Sequence, residues 1–127
     1  MSDRIGSYRT ACKRKDEALE AAINVCLPVV LLADILRKSP DRVQIVQIPQ
    51  ARGIIQAKVN FDGSRWPTAA AINDALAEYH DALAEVRVAW TNVQIGGDAQ
   101  GLQPPPADGW AVMRQELLAR ANRQPRW

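Results

Sequence analysis

Histidine, cysteine and phenylalanine are scarce in this chain of 127 residues, which contains one histidine, two cysteines and one phenylalanine. Nucleophilic catalysis and most zinc sites need several such side chains at matched spacings. His80, Cys12 and Cys26 fit no familiar zinc spacing, and the sequence has no phosphate-binding glycine loop. We therefore expect no catalytic site, no cofactor and no metal, which predicts that the protein is not an enzyme.

Long apolar runs are also missing. The longest run, residues 25–33, has nine residues and contains Pro28, whereas a membrane-spanning helix needs about 20 residues. The first 17 residues are polar and lack the apolar centre of a secretory signal. We expect a protein of the cytoplasm, or of a particle assembled there, that has no membrane span and is not secreted by a signal peptide.

The composition is that of one ordinary soluble domain. Apolar residues make up 47% of the chain, charged residues 24%, and the formal net charge is only +2. A chain of this length buries one core and has no room for a second. The sequence thus predicts a single domain, residues 1–127, of mainly α class: a long antiparallel helical hairpin with a small β-hairpin between the helices and a short C-terminal helix.

The first helix is predicted at residues 3–38. Its apolar residues recur at alternating steps of three and four, with Lys15 as the exception. Ser2 or Asp3 is a suitable N-cap, and Pro28 predicts a kink or a division into helices 3–26 and 28–38. Within this helix Cys12 and Cys26 would lie roughly 21 Å apart, too far for a disulfide.

Residues 42–61 have the alternation of a β-hairpin. Residues 55–61 alternate between apolar and polar side chains, a β-branched run covers residues 43–48, and residues 49–53 supply turn chemistry. A two-stranded hairpin is marginally stable alone. It should pack on a helix or pair with the sheet of another subunit.

The second helix, predicted at residues 67–93, carries the clearest pattern. We call its apolar stripe the heptad seam. It comprises Ile72, Leu76, Tyr79, Leu83, Val86, Trp90 and Val93. Alanines flank it every seven residues and widen the apolar face. Together with residues 25–36, which are apolar nearly all round, this face is more than two helices can cover. We therefore expect self-association, as an oligomer or coiled coil, or docking on a larger particle.

Two polar features accompany the heptad seam. An acidic stripe lies on the side of the second helix opposite the heptad seam. It is either a solvated outer face or a surface that binds basic residues, and the basic start of the chain is one candidate for those residues. The acidic stripe comprises Asp74, Glu78, Asp81 and Glu85. Asn73, His80 and Arg87 form a polar ridge, which is typical of the border of a buried helix face. Alternatively, the ridge binds an anion. An enzyme that uses His80 with Arg87 is the least favoured hypothesis.

A Pro-rich linker, residues 94–107, precedes the last helix, predicted at residues 108–122. Asp108 is a good N-cap, and we expect Trp110, Met113, Leu117 and Leu118 to face inward.

Helical interfaces are therefore the predicted means of action. The leading hypothesis is a non-enzymatic structural or assembly subunit of a larger bacterial or bacteriophage complex, whose partners are other proteins or copies of itself. Tryptophan and arginine are frequent interface anchors. The predicted partner-binding residues are Leu76, Tyr79, Leu83, Trp90, Trp110, Arg126 and Trp127.

Positive charge at both ends of the chain supports an alternative function, the binding of nucleic acid. Residues 1–15 contain five basic residues and one acidic residue, a composition that favours phosphate contacts. In this alternative the chain is a small accessory protein that binds nucleic acid through its terminal segments. The residues concerned are Arg9, Lys13, Arg14, Lys15, Arg120 and Arg123.

Overall fold

Three helices form the part of the chain that the computed structural model describes, which is residues 3–38 and 67–123. They are α1 (Arg4–Lys38), α2 (Ala69–Ile95) and α3 (Gly109–Asn122). The protein is mainly helical in these ranges, as predicted. The β-hairpin predicted for residues 42–61 lies outside the described residues.

α1 begins at a polar cap and continues through its proline. The Asp3 carboxylate accepts a hydrogen bond from the backbone N–H of Gly6 at 2.7 Å, which satisfies a donor of the first turn. Pro28 is buried inside one continuous helix, so the division into helices 3–26 and 28–38 is wrong. Lys15, the exception in the apolar pattern, keeps 15% of its side chain exposed and places its ammonium 3.4 Å from Asp16. Its aliphatic stem thus lies toward the core while the charge reaches the surface.

α1 and α2 pack antiparallel. Near the start of α1, the ring of Tyr8 lies 5.1 Å from that of Trp90, near the end of α2. Two clusters of buried residues follow one another along the pair. The first contains Tyr8, Ala11, Val86 and Val93; the second contains Ala18, Ala22, Ile23, Tyr79, Ala82, Leu83 and Met113. The small alanine side chains in both clusters let the two helix backbones approach closely.

The heptad seam is covered by the chain's own helices. Tyr79, Val86 and Val93 are at most 1% exposed, and each belongs to a cluster that also contains residues of α1. The expectation that the seam exceeds what one chain can cover overlooked α3, which supplies Met113 to the second cluster. The buried residues of the seam therefore offer no surface for association, although Val88 and Ile95 elsewhere on α2 are exposed.

α3 reaches the hairpin over an irregular linker. Gly96 is the C-cap of α2, and Gly97 and Gly101 have φ angles of 73° and 84°, which glycine adopts without strain. The linker is held to α1 where the Tyr8 hydroxyl donates to the Gln103 carbonyl at 2.7 Å. α3 then begins at Asp108, whose carboxylate accepts from the first backbone N–H groups of the helix.

One end of α3 rests on α2 and the other on α1. The Tyr79 hydroxyl donates to the carbonyl of Gly109 at 2.6 Å, and a side chain on Gly109 would collide with Leu83. At the other end, the Arg120 guanidinium donates to both carboxylate oxygens of Glu20, at 2.9 and 2.6 Å. α3 therefore closes the open side of the hairpin. None of the described helices is long and apolar enough to span a membrane.

Both tyrosines of the chain should ionise late. Burial, with Cys12 beside it, raises the pKa of Tyr8 to about 12, and burial raises the pKa of Tyr79, with Asp16 and Asp108 adding to the effect. Unfolded tyrosine ionises near pH 10, so the unfolded state loses its protons first. The free energy of unfolding should therefore be unaffected by these groups below about pH 10 and should fall as the pH rises to about 12.

A titration followed by phenolate absorbance and circular dichroism tests this expectation. Ionisation should lag behind that of a tyrosine peptide or coincide with loss of helix, and Tyr8→Phe should reduce the alkaline loss of stability. If both tyrosines titrated as in a free peptide while the helical spectrum persisted, the packing of the two rings would be wrong.

Candidate partner-binding surface

The predicted partner-binding residues divide into buried and exposed ones. Tyr79 and Leu83 are in the core, and Leu76 and Trp90 are partly buried against it. Tyr79 and Leu83 face the other helices of their own chain and offer no surface to a partner, whereas partner binding by the partly exposed Leu76 and Trp90 stays a prediction. Trp110 alone among the described ones is on the surface, at 41% exposure. Arg126 and Trp127 lie outside the described residues.

The exposed face of α3 presents an apolar and basic stripe. Trp110, Arg114 and Leu118 are all exposed and are four residues apart, which places them one above the other on a helix. We call these three residues the α3 stripe. Trp110 and Leu118 were expected to face inward, and that expectation is wrong. The inward positions are Met113, which is buried, and Leu117, which packs against the same cluster; Leu118 is rotated by about 100° from Leu117 and so points away.

Trp110 is fixed in place by two neighbouring rings of α2. The Tyr79 ring meets it edge-on, with the centroids 5.2 Å apart, and the His80 ring stacks on it at 6.4 Å. Such arrangements are favourable for aromatic pairs. The indole is thus held rigidly at the surface, so little side-chain entropy remains to be lost when a partner covers it.

The α3 stripe has the chemistry of an interface anchor. Tryptophan and arginine are over-represented among residues that dominate binding energy, and Leu118 adds apolar surface with 54% of its area exposed. Arg114 forms no ion pair within the described ranges. A partner that covers the stripe would therefore offer an apolar pocket for the indole and a carboxylate for the guanidinium.

The polar ridge of α2 lies on the surface. Asn73, His80 and Arg87 are all exposed, and His80 contacts Trp110 through its ring. The ridge thus borders the α3 stripe at His80. A role of the ridge in binding an anion stays a prediction.

Part of the acidic stripe contacts the basic start of the chain, which was named above as a candidate neighbour. The Arg14 guanidinium donates to Glu78 at 2.8 Å and also to Glu85, and these carboxylates raise the pKa of Arg14. All three side chains are about half exposed, so each pair stabilises the fold only modestly. Asp74 and Asp81 are exposed, as a solvated face predicts.

Most of the residues predicted to bind nucleic acid already have carboxylate neighbours. Besides Arg14 and Lys15, Arg120 pairs with Glu20 and Glu116, and Arg123 lies 3.6 Å from Glu116. The Arg120 guanidinium lowers the pKa of Glu20. Arg9 and Lys13 are exposed and form no ion pair in the described part of the chain.

The described residues contain no cluster of three or more potential metal ligands. Cys12 and Cys26 are both free, in agreement with their predicted separation along one helix. Burial raises the pKa of Cys26, which disfavours the reactive thiolate. Comparison of the chain with protein-family models, curated proteins and solved structures finds no match.

Proposed function

We propose that this chain is a non-enzymatic structural or assembly subunit of a larger bacterial or bacteriophage complex, and that it binds another protein through the α3 stripe. The observation that carries the proposal is Trp110, an indole that is 41% exposed yet held by two rings of its own chain. Large aromatic side chains contribute most to an interface when they are preorganised and can be fully desolvated.

The partner is a protein with an apolar pocket beside an acidic side chain. Trp110 and Leu118 supply apolar surface at the two ends of the stripe, and Arg114 supplies the positive charge between them. Arginine pairs well with carboxylates because its planar guanidinium can donate two parallel hydrogen bonds. The charge therefore orients the partner, and the two apolar side chains supply most of the affinity.

Photo-crosslinking in the native cell tests this surface. A photoreactive amino acid at Leu118 should give one discrete crosslinked protein, whereas the same group at exposed Asn92, three turns beyond His80 on α2, should not. Adding Arg114→Glu should abolish the crosslink, and Arg114→Lys should retain much of it. Equal crosslinking from both positions, or a crosslink that survives Arg114→Glu, would refute a partner on the α3 stripe.

The nucleic-acid alternative depends on Arg9 and Lys13, which among the described residues predicted to bind nucleic acid are the two that form no ion pair there. Charge reversal at both positions distinguishes the two functions. In the alternative it should remove salt-sensitive retention on DNA or RNA, while the crosslink from Leu118 is unchanged. No retention by the wild-type protein at low salt would eliminate the alternative.

Residues 42–61 are proposed to form the β-hairpin that their alternation predicts. Their edge either pairs within the chain or extends the sheet of another subunit.

A further inference from the structure

The outer side of α1 has an open groove whose lining contains no residue of the α3 stripe. Its volume is about 480 Å³, and it is lined by residues between Tyr8 and Glu20. Tyr8 is 5% exposed and Cys12 is partly buried, so both lie toward the floor of the groove. The remaining lining side chains are charged and exposed.

Charge along this groove is ordered. Arg9 and Lys13 occupy the half nearer the start of α1, and three carboxylates, Asp16, Glu17 and Glu20, line the other half. Arg9, Lys13, Asp16 and Glu20 share one edge of the groove. The four positions are separated by steps of four, three and four residues, which keeps them on one face of the helix. We call them the α1 stripe, a row of two positive charges followed by two negative charges.

The α1 stripe is complementary to itself when reversed. Position 13 and position 16 are equally far from a point midway between residues 14 and 15, and so are positions 9 and 20. An antiparallel second copy of α1 would therefore place Lys13 opposite Asp16 and Arg9 opposite Glu20. A two-fold axis makes each pair occur twice, because a symmetric dimer uses the same patch on both subunits.

The groups of the α1 stripe are available for such pairing. Arg9 and Lys13 form no ion pair with a described residue. Asp16 keeps 70% of its side chain exposed although the ammonium of Lys15 is 3.4 Å away. Glu20 is 55% exposed and accepts from Arg120, but a carboxylate has about four lone-pair sites. Each cation can thus gain a partner without breaking an ion pair of its own chain.

We infer that the α1 stripe is the interface of an antiparallel, two-fold symmetric dimer of this chain. Its occupant is a second copy because the reversed order of charge matches the stripe itself. Exposed ion pairs are individually weak and are screened by salt, so the dimer forms at high micromolar concentration in dilute salt and dissociates near 1 M salt. The α1 stripe and the α3 stripe lie on different helices, so either proposal can fail without the other.

Two single variants and their mixture test the dimer by sedimentation velocity. Lys13→Asp leaves the stripe mainly acidic, and Asp16→Lys leaves it mainly basic. Each variant alone should dimerise about tenfold more weakly or worse, because two attractive pairs become repulsive. An equimolar mixture should form a heterodimer, since the acidic stripe of one variant faces the basic stripe of the other.

Two further variants complete the test. The double variant Lys13→Asp/Asp16→Lys reverses both charges and should dimerise like the wild type, whereas Arg114→Glu on α3 should leave the dimer unchanged. Circular dichroism establishes that each variant is folded. Wild-type protein that stays monomeric at high micromolar concentration, variants that dimerise normally, or a mixture that stays monomeric would each overturn the inference.

Discussion

Replacing Tyr79 with alanine is expected to lower the free energy of unfolding by about 3–5 kcal/mol. The ring is 1% exposed and belongs to the cluster in which all three helices meet. Its removal leaves a cavity, deprives Trp110 of an edge-on neighbour, and removes the hydroxyl that bonds the Gly109 carbonyl. α3 should therefore loosen from α2 in the same variant. Urea unfolding followed by circular dichroism measures the change.

Tyr79→Phe is the matched control, because it keeps the ring and removes only the hydroxyl. It removes the hydrogen bond of 2.6 Å to the Gly109 carbonyl, which should cost about 0.5–1.5 kcal/mol because that carbonyl keeps its place in the helical hydrogen-bond ladder. Tryptophan fluorescence should change more in Tyr79→Ala than in Tyr79→Phe, since only the first loses the ring contact. If the two variants were equally stable, Tyr79 would not be packed in the core.

The second large effect is expected for Ile23→Ala, which should lower the free energy of unfolding by about 2–5 kcal/mol. Ile23 is completely buried among residues of α1, α2 and α3. Ile95→Ala deletes the same atoms from a side chain that is 76% exposed, and it should change stability by at most about 0.5 kcal/mol. Thermal and urea unfolding of both variants gives the difference. Similar effects for the pair would contradict the assignment of Ile23 to the core.

The helices themselves could be predicted because their signals are local. The heptad seam of α2 and the N-caps Asp3 and Asp108 are patterns of neighbouring residues, and the structure has both caps. Pro28 shows the limit of such rules, since α1 continues through it. Proline removes one hydrogen-bond donor from the helix, and a residue that is fully buried gains packing that a local rule does not count.

The position of α3 could not be predicted, because it depends on contacts between residues far apart in sequence. Tyr79 bonds Gly109, and Arg120 bonds Glu20, a residue that precedes it by 100 positions. Without these contacts the apolar face of α2 seemed to need another subunit. The same gap explains why Leu118 was expected to face inward, since the sequence does not say how much of α3 the hairpin can cover.

Of the predicted interface residues, Tyr79 and Leu83 lie in the core, whereas Trp110 is exposed. A heptad seam describes equally well a helix packed within its chain and one packed against another chain. Exposure decides between them: Tyr79 and Leu83 are buried, whereas Trp110 and Leu118 are exposed. The contact between Arg14 and the acidic stripe could be anticipated from charge, because the basic start of the chain was one candidate neighbour of that stripe. In the structure Arg14 donates to Glu78 and Glu85.

Association through protein surfaces is the central claim, and size-exclusion chromatography with light scattering tests it most directly. Untagged wild-type protein should elute with a mass that rises toward a dimer as its concentration reaches the high micromolar range in dilute salt. Its ultraviolet spectrum should show no nucleic acid. A protein that remains a monomer at every concentration and carries nucleic acid would contradict the account and leave the basic residues of α1 as its functional surface.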